Sequence, residues 1–143
     1  MNKRKFLITI SLILIGIILA GTVCASSQTL ELDGVKFNIP NGYTEITKYA
    51  TNDEVEQGSS ISVVSSHRAY SDNNNYLGIT VDEYSNHPSL SSLRLDDEVF
   101  KEIGGVRGLY AFDELHFFTY EEGDKIVMIS ADDYSIIEEV MGK

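Results

Sequence analysis

Three tight-turn signals constrain this chain more than any other feature. Asp33-Gly34, Gly104-Gly105 and the Gly123-Asp124 pair of a Glu121–Asp124 loop each stand between arms rich in apolar residues. Such pairs supply the positive φ that a short reversal needs, so each marks an antiparallel hairpin. A chain punctuated in this way folds by pairing neighbouring strands, not by long helical crossovers.

The arms fit this reading. Leu30 and Leu32 precede the first turn; Val35, Phe37 and Ile39 follow it, and Pro40-Asn41-Gly42 ends the second arm. Residues 61–67 read as a strand and 71–75 (SDNNN) as a turn. Residues 76–84 alternate, with Leu77, Ile79 and Val81 on one face and Tyr76, Thr80, Asp82 and Tyr84 on the other. Residues 86–92 form a loop. Leu95, Val99 and Ile103 would fit a helical stripe, but Gly104-Gly105 and VRGLYAF behind them favour Val99–Ile103 as a strand. Leu115–Tyr120 and Lys125–Ala131 make the last hairpin. Ile136, Ile137, Val140 and Met141 then form one helical stripe of about ten residues, introduced by Asp132 and Asp133 as N-cap oxygens. Ser135-Ile136-Ile137-Glu138 also fits a capping box. Residues 43–60 are the least legible: Tyr43, Ile46, Tyr49 and Ala50 have helical spacing, and Thr51–Ser60 reads as a polar loop.

The expected architecture is α+β: an antiparallel sheet of six or seven strands built from hairpins, with a C-terminal helix packed on it and one face covered. An N-terminal hydrophobic helix precedes it. Residues 6–25 carry no charge and follow Lys3, Arg4 and Lys5. As a helix they would span ~30 Å, the thickness of a bilayer core. Val23 and Ala25 also suit a signal-peptidase site before Ser26. The chain therefore divides into 1–25, a signal peptide or N-terminal membrane anchor; 26–29, a spacer; and 30–143, an extracytoplasmic domain. In either case the basic cluster stays inside and the domain lies outside. Cys24 is the only cysteine, and Gly21-Thr22-Val23 before it departs from a lipobox. A chain cleaved after Ala25 contains no disulfide and no cysteine-based metal site.

Charge narrows the partners. Beyond residue 25 stand 8 Lys/Arg against 22 Asp/Glu, giving 8 − 22 = −14. Such a surface repels phosphate backbones, which argues against nucleic acid, and it disfavours direct binding to anionic lipid.

Catalytic chemistry finds no foothold in the sequence. Neither Gly-x-Ser-x-Gly nor Ser-x-x-Lys occurs. His67, His87 and His116 lack the spacing of a local zinc site; His67 reads as a solvent-facing strand end and His116 as a surface or packing residue. Gly104–Gly108 lacks the Lys-Ser/Thr of a phosphate loop. Asp72, Asn74 and Glu83 occupy positions 1, 3 and 12 of an EF-hand window, but Tyr76 and Leu77 stand where a ligand and a glycine belong. Asp96-Asp97-Glu98, Glu121-Glu122-Asp124 and Asp132-Asp133 read as solvated turns and caps. No catalytic or cofactor-binding residue is assigned, and the metal ligands, if any, are unknown; weak Ca²⁺ binding is the one cofactor chemistry left open. Tyr43, Tyr70, Tyr76, Tyr84 and Tyr110 either face a partner or a sugar, or lie half-buried over the sheet.

Phe37-Asn38-Ile39-Pro40-Asn41-Gly42-Tyr43 has the form F-x-I-P-x-G-Y/W. With Gly104–Gly108, Gly123–Val127 and Ile137–Val140, it resembles small secreted or membrane-tethered proteins of methanogenic archaea. It is loosely similar to the PsbP/Mog1-like group, with Tyr43 in place of that group's usual Trp. The resemblance covers roughly residues 30–141. It implies an α/β sandwich and an accessory or binding role, with no catalytic residue carried over. The expected function is thus an extracytoplasmic module with an unknown protein or cell-envelope partner. The alternatives are an acidic cell-surface structural protein with weak Ca²⁺ sites and a small hydrolase.

Overall fold

The computed structural model describes residues 28–58 and 60–142. The N-terminal hydrophobic segment, with its signal or anchor reading, lies outside the described residues. No helix among the described residues is long and apolar enough to cross a membrane.

The strands are β1 (Gln28–Leu32), β2 (Val35–Ile39), β3 (Thr44–Glu45), β4 (Thr51–Gln57), β5 (Ser62–Ser71), β6 (Tyr76–Tyr84), β7 (Val99–Ile103), β8 (Val106–Asp113), β9 (Leu115–Glu122) and β10 (Lys125–Ala131). Helix α1 is a single turn, Leu90–Leu93, and α2 spans Tyr134–Val140. β1 and β2 form their own hairpin; the other eight strands form one antiparallel sheet in the order β3-β5-β6-β10-β9-β8-β7, with β4 also on β5. The α+β expectation therefore holds for the mostly antiparallel sheet and the short C-terminal helix. The sheet has eight strands against the expected six or seven, because residues 43–60 add β3 and β4 to one edge while the β1–β2 hairpin stays outside it.

That edge corrects the reading of residues 43–60. Thr51–Gln57 is a strand, not a loop, and Thr47–Tyr49 is one 3-10 turn. An edge strand with both faces in water needs no apolar alternation, so it leaves no period in the sequence. Its anchors come from β5: Arg68 donates to Thr51 O at 2.7 Å and pairs with Glu45 at 3.6 Å, while the Asp53 N–H donates to buried Ser66 Oγ at 3.1 Å.

One face of the sheet carries the core. Leu77, Ile79 and Val81 of β6, Val127, Ile129 and Ala131 of β10, and Phe118 and Tyr120 of β9 point the same way. Leu32, Val35, Phe37 and Ile39 of the β1–β2 hairpin and Ile136, Ile137 and Val140 of α2 close over them. Helix α2 begins at Asp133, whose carboxylate accepts the Ser135 N–H at 2.8 Å. The cap is therefore Asp133, not a box starting at Ser135. Being only seven residues long, the helix depends on this packing for stability.

Tyr43 is 5 % exposed, and its hydroxyl has no hydrogen-bond partner among the described residues. Burial pushes its phenol up to about 12. An unpaired buried hydroxyl costs about 1–3 kcal/mol, so Tyr43→Phe should raise the unfolding free energy by up to that amount, measured by urea titration.

Candidate functional site

The opposite face of the sheet is crossed only in part. The connection from β6 to β7, residues 85–98, passes over it, and Leu90 is buried there with its N–H donated to Glu121. Beyond this strap lie two polar pairs. His67 Nδ1 and Thr80 Oγ1 are 2.9 Å apart, and Ser65 donates to Asp82. His67 is therefore a mid-strand, partly buried residue rather than a solvent-facing strand end. Burial, with Arg68 beside it, holds its imidazole below the usual range. Burial raises the Asp82 carboxyl, partly offset by Ser65.

The His67 shift has a testable sign. Below the ordinary value of 6.5, the unfolded chain takes up a proton that the folded chain resists. This residue's contribution to stability is therefore full above pH 6.5 and is lost as the pH falls through it. His67→Gln should flatten the decline in thermal midpoint between pH 7 and pH 5; an unchanged slope would refute the assignment.

The second assembly surrounds His116. Its Nδ1 is 2.8 Å from the Tyr110 hydroxyl, and its ring meets Phe112 at 4.6 Å and Tyr134 at 5.9 Å. Tyr110 meets Tyr134 edge-on at 5.6 Å. Lys101 lays its ammonium 3.8 Å from the Tyr134 ring centre and 4.6 Å from that of Tyr110. His116 is thus the packing residue expected from its place between Leu115 and Phe117. Among the described residues neither His67 nor His116 has a Ser hydroxyl or carboxylate within hydrogen-bond distance; their partners are Thr80 and Tyr110. His87 lies in the 85–98 strap with φ of 43°.

The acidic groups serve local backbone structure. Asp72 accepts the N–H groups of Asn74 and Asn75, which accounts for the SDNNN turn and pulls its carboxyl below the usual range. Asp132 accepts from the Tyr76 N–H, and Glu83 pairs with Lys125 at 3.6 Å. Among the described residues no three His, Cys, Asp or Glu side chains gather as a metal site. The tyrosines divide: Tyr43 and Tyr70 are buried, while Tyr76, Tyr84 and Tyr110 are partly buried.

Exposed large apolar residues lie at both edges of the sheet, Tyr49, Val55 and Ile61 near β4 and four more at the β7 end. Leu95 (64 %), Val99 (53 %), Phe100 (37 %) and Phe112 (61 %) are all open to solvent there. Beside them is a concavity of about 250 Å³, with Ala111, Phe117 and Met128 in its floor and Asp97, Glu98 and Asp113 at its rim. Those carboxylates repel anions. The sequence presents Val99, Phe100 and Phe112 as ordinary strand apolars; only their place at the last two strands leaves them uncovered. No family model, curated protein or solved structure matches this chain.

Proposed function

We propose that this chain is an extracytoplasmic accessory or binding module, exported or tethered by residues 6–25, and that its contact surface is the β7 end of the sheet. The observation that carries the reading is that four large apolar residues stay exposed along this edge, Val99 and Phe112 on the core face of the sheet and Phe100 and Leu95 on the opposite face. Exposed apolar side chains along one edge of a small acidic domain favour a protein partner that grips that edge. The resemblance to secreted, tethered and PsbP/Mog1-like proteins favours the same role.

Two experiments test it. Intact mass and fractionation of the source cells should give a chain starting at Ser26 outside the cell, or a full-length chain in the membrane whose domain is digested by external protease. A full-length chain free in the cytoplasm would overturn the location. A photo-cross-linking residue at Phe112 should give an adduct that the same residue at Val55, which is 53 % exposed on β4, does not. Identical patterns would overturn the contact surface. Millimolar Ca²⁺ should leave the thermal midpoint unchanged; a rise that chelator reverses would favour the calcium-bearing structural alternative.

A further inference from the structure

The strap of residues 85–98 rests on the sheet through buried Leu90 and borders three concavities. Two of them have a cation in the wall, Lys125 in one and Arg107 in the other. The third, between Leu95 of the strap and Phe117 of β9, has none. Its floor follows from the register. Ala111 pairs with Phe117 and Met128 with Thr119, so these four side chains share the face opposite Phe118 and line the concavity together.

Three carboxylates stand around this floor: Asp97 and Asp113 are exposed and Glu98 is partly so. Among the described residues none of them lies within ion-pair distance of a lysine or arginine. The cation nearest in sequence, Arg94, is engaged elsewhere. Its Nε donates to the Glu98 carbonyl at 3.0 Å, and its guanidinium lies over Phe100. Arg107 also lies over Phe100, and Lys101 over Tyr134 and Tyr110. The cations at this end of the domain thus settle on rings, but among the described residues none settles on Phe117.

An apolar floor with an aromatic ring, under a rim of one charge sign, is complementary to a cation on an aliphatic stem. The stem covers the floor while the charge stays at the wet rim. The ring adds cation–π attraction. Volume decides what carries the cation. Small-molecule sites run to ~300–1,000 Å³, whereas about 250 Å³ suits one long side chain. The charge of −14 beyond residue 25 (8 − 22) steers a cation toward the domain and an anion away from it.

We propose that this concavity receives an arginine side chain of the protein partner, its stem on Leu95, Phe117 and Met128 and its guanidinium between Asp97 and Asp113. Arginine suits the site better than lysine because its planar fork meets two carboxylates at once and lies flat on a ring. The proposal rests on the binding role given above and names the partner's contact chemistry: a basic side chain flanked by apolar ones, since exposed Leu95 and Phe100 border the same face.

Methionine-methyl NMR of the full chain in phosphatidylcholine nanodiscs tests this. Met128 lies in the concavity, and Met141 packs against the core as an internal control. The probe is the blocked peptide acetyl-Gly-Leu-Arg-Leu-Gly-amide. It should move the Met128 methyl resonance to saturation and leave that of Met141 in place. The citrulline peptide has the same length without the charge; the diaminopropionate peptide keeps the charge on a short stem. Each should bind at least ~tenfold more weakly. Asp97→Asn with Asp113→Asn should weaken the arginine peptide about fivefold. Both carboxylates are exposed, so the thermal midpoint should hold. Glu98 is left intact because its carboxylate accepts the Leu95 N–H at 2.7 Å. Glu54→Gln with Glu56→Gln, on the far β4 edge, should weaken binding less than ~twofold. An unmoved Met128 methyl, equal binding by either analogue, or equal weakening by the β4 pair overturns the proposal. If Met128 stays still while a Phe112 photo-adduct forms, the edge binds a protein of another chemistry and only this proposal fails. If neither signal appears, the binding reading falls with it.

Discussion

Phe118→Ala is expected to cost about 3–5 kcal/mol of unfolding free energy, the range for deleting a buried ring. Phe118 is fully buried, faces Ile129 and Tyr110 on its two neighbouring strands, and stacks on Tyr120 at 5.7 Å. The backbone there is held by ladders on both sides, so the void has little freedom to collapse. Domains of this kind have only ~5–15 kcal/mol in total, so the variant should be close to unfolding at ambient temperature. Urea titration would show a large drop in midpoint with an unchanged slope. A loss below about 1 kcal/mol would mean the side chain is not packed as described.

The second large effect lies against the same ring. Gly108 sits in the middle of β8, and a Cβ added there would come 2.5 Å from Thr119 O and 2.6 Å from two Phe118 ring carbons. The ring can shift a little; the carbonyl belongs to the neighbouring strand and cannot. Gly108→Ala should therefore cost about 3 kcal/mol, the upper end for an overpacked core. Adding Phe118→Leu should restore part of this by clearing the ring, while the clash with the carbonyl remains. The double-mutant cycle should show a favourable coupling. Simple additivity would mean that the carbonyl alone sets the penalty.

Much of this fold is legible in the residues. Asp33-Gly34, Gly104-Gly105 and Gly123-Asp124 mark three of the hairpins because their turns need positive φ. Leu77, Ile79 and Val81 give away β6 because only one of its faces is covered, and the α2 stripe gives away its packing on the sheet. What escapes is structure that buries nothing or that depends on distant chain. β4 has only exposed Val55 as an apolar marker, so its pairing rests on Arg68 and Ser66 of another strand. The Asp133 cap is legible; the end of α2 at Val140 rather than a few residues later is not. The β7 surface is hidden for a related reason. Phe100 and Phe112 have the same local pattern as buried strand residues, and only the strand order shows that the sheet ends there.

That strand order also governs the time course of folding. β5 and β6 pair locally, and β7 to β10 form a meander of consecutive hairpins. The seam between these halves joins Lys125 to Glu83 and Ala131 to Leu77, partners 42 to 54 positions apart. Contacts at such separation must close a long loop before they are rewarded, so this seam is the slow step. A chain emerging from its N-terminus therefore carries an open, apolar β6 edge until residue 131 has arrived. During that interval it is most exposed to misassembly, whatever its final stability.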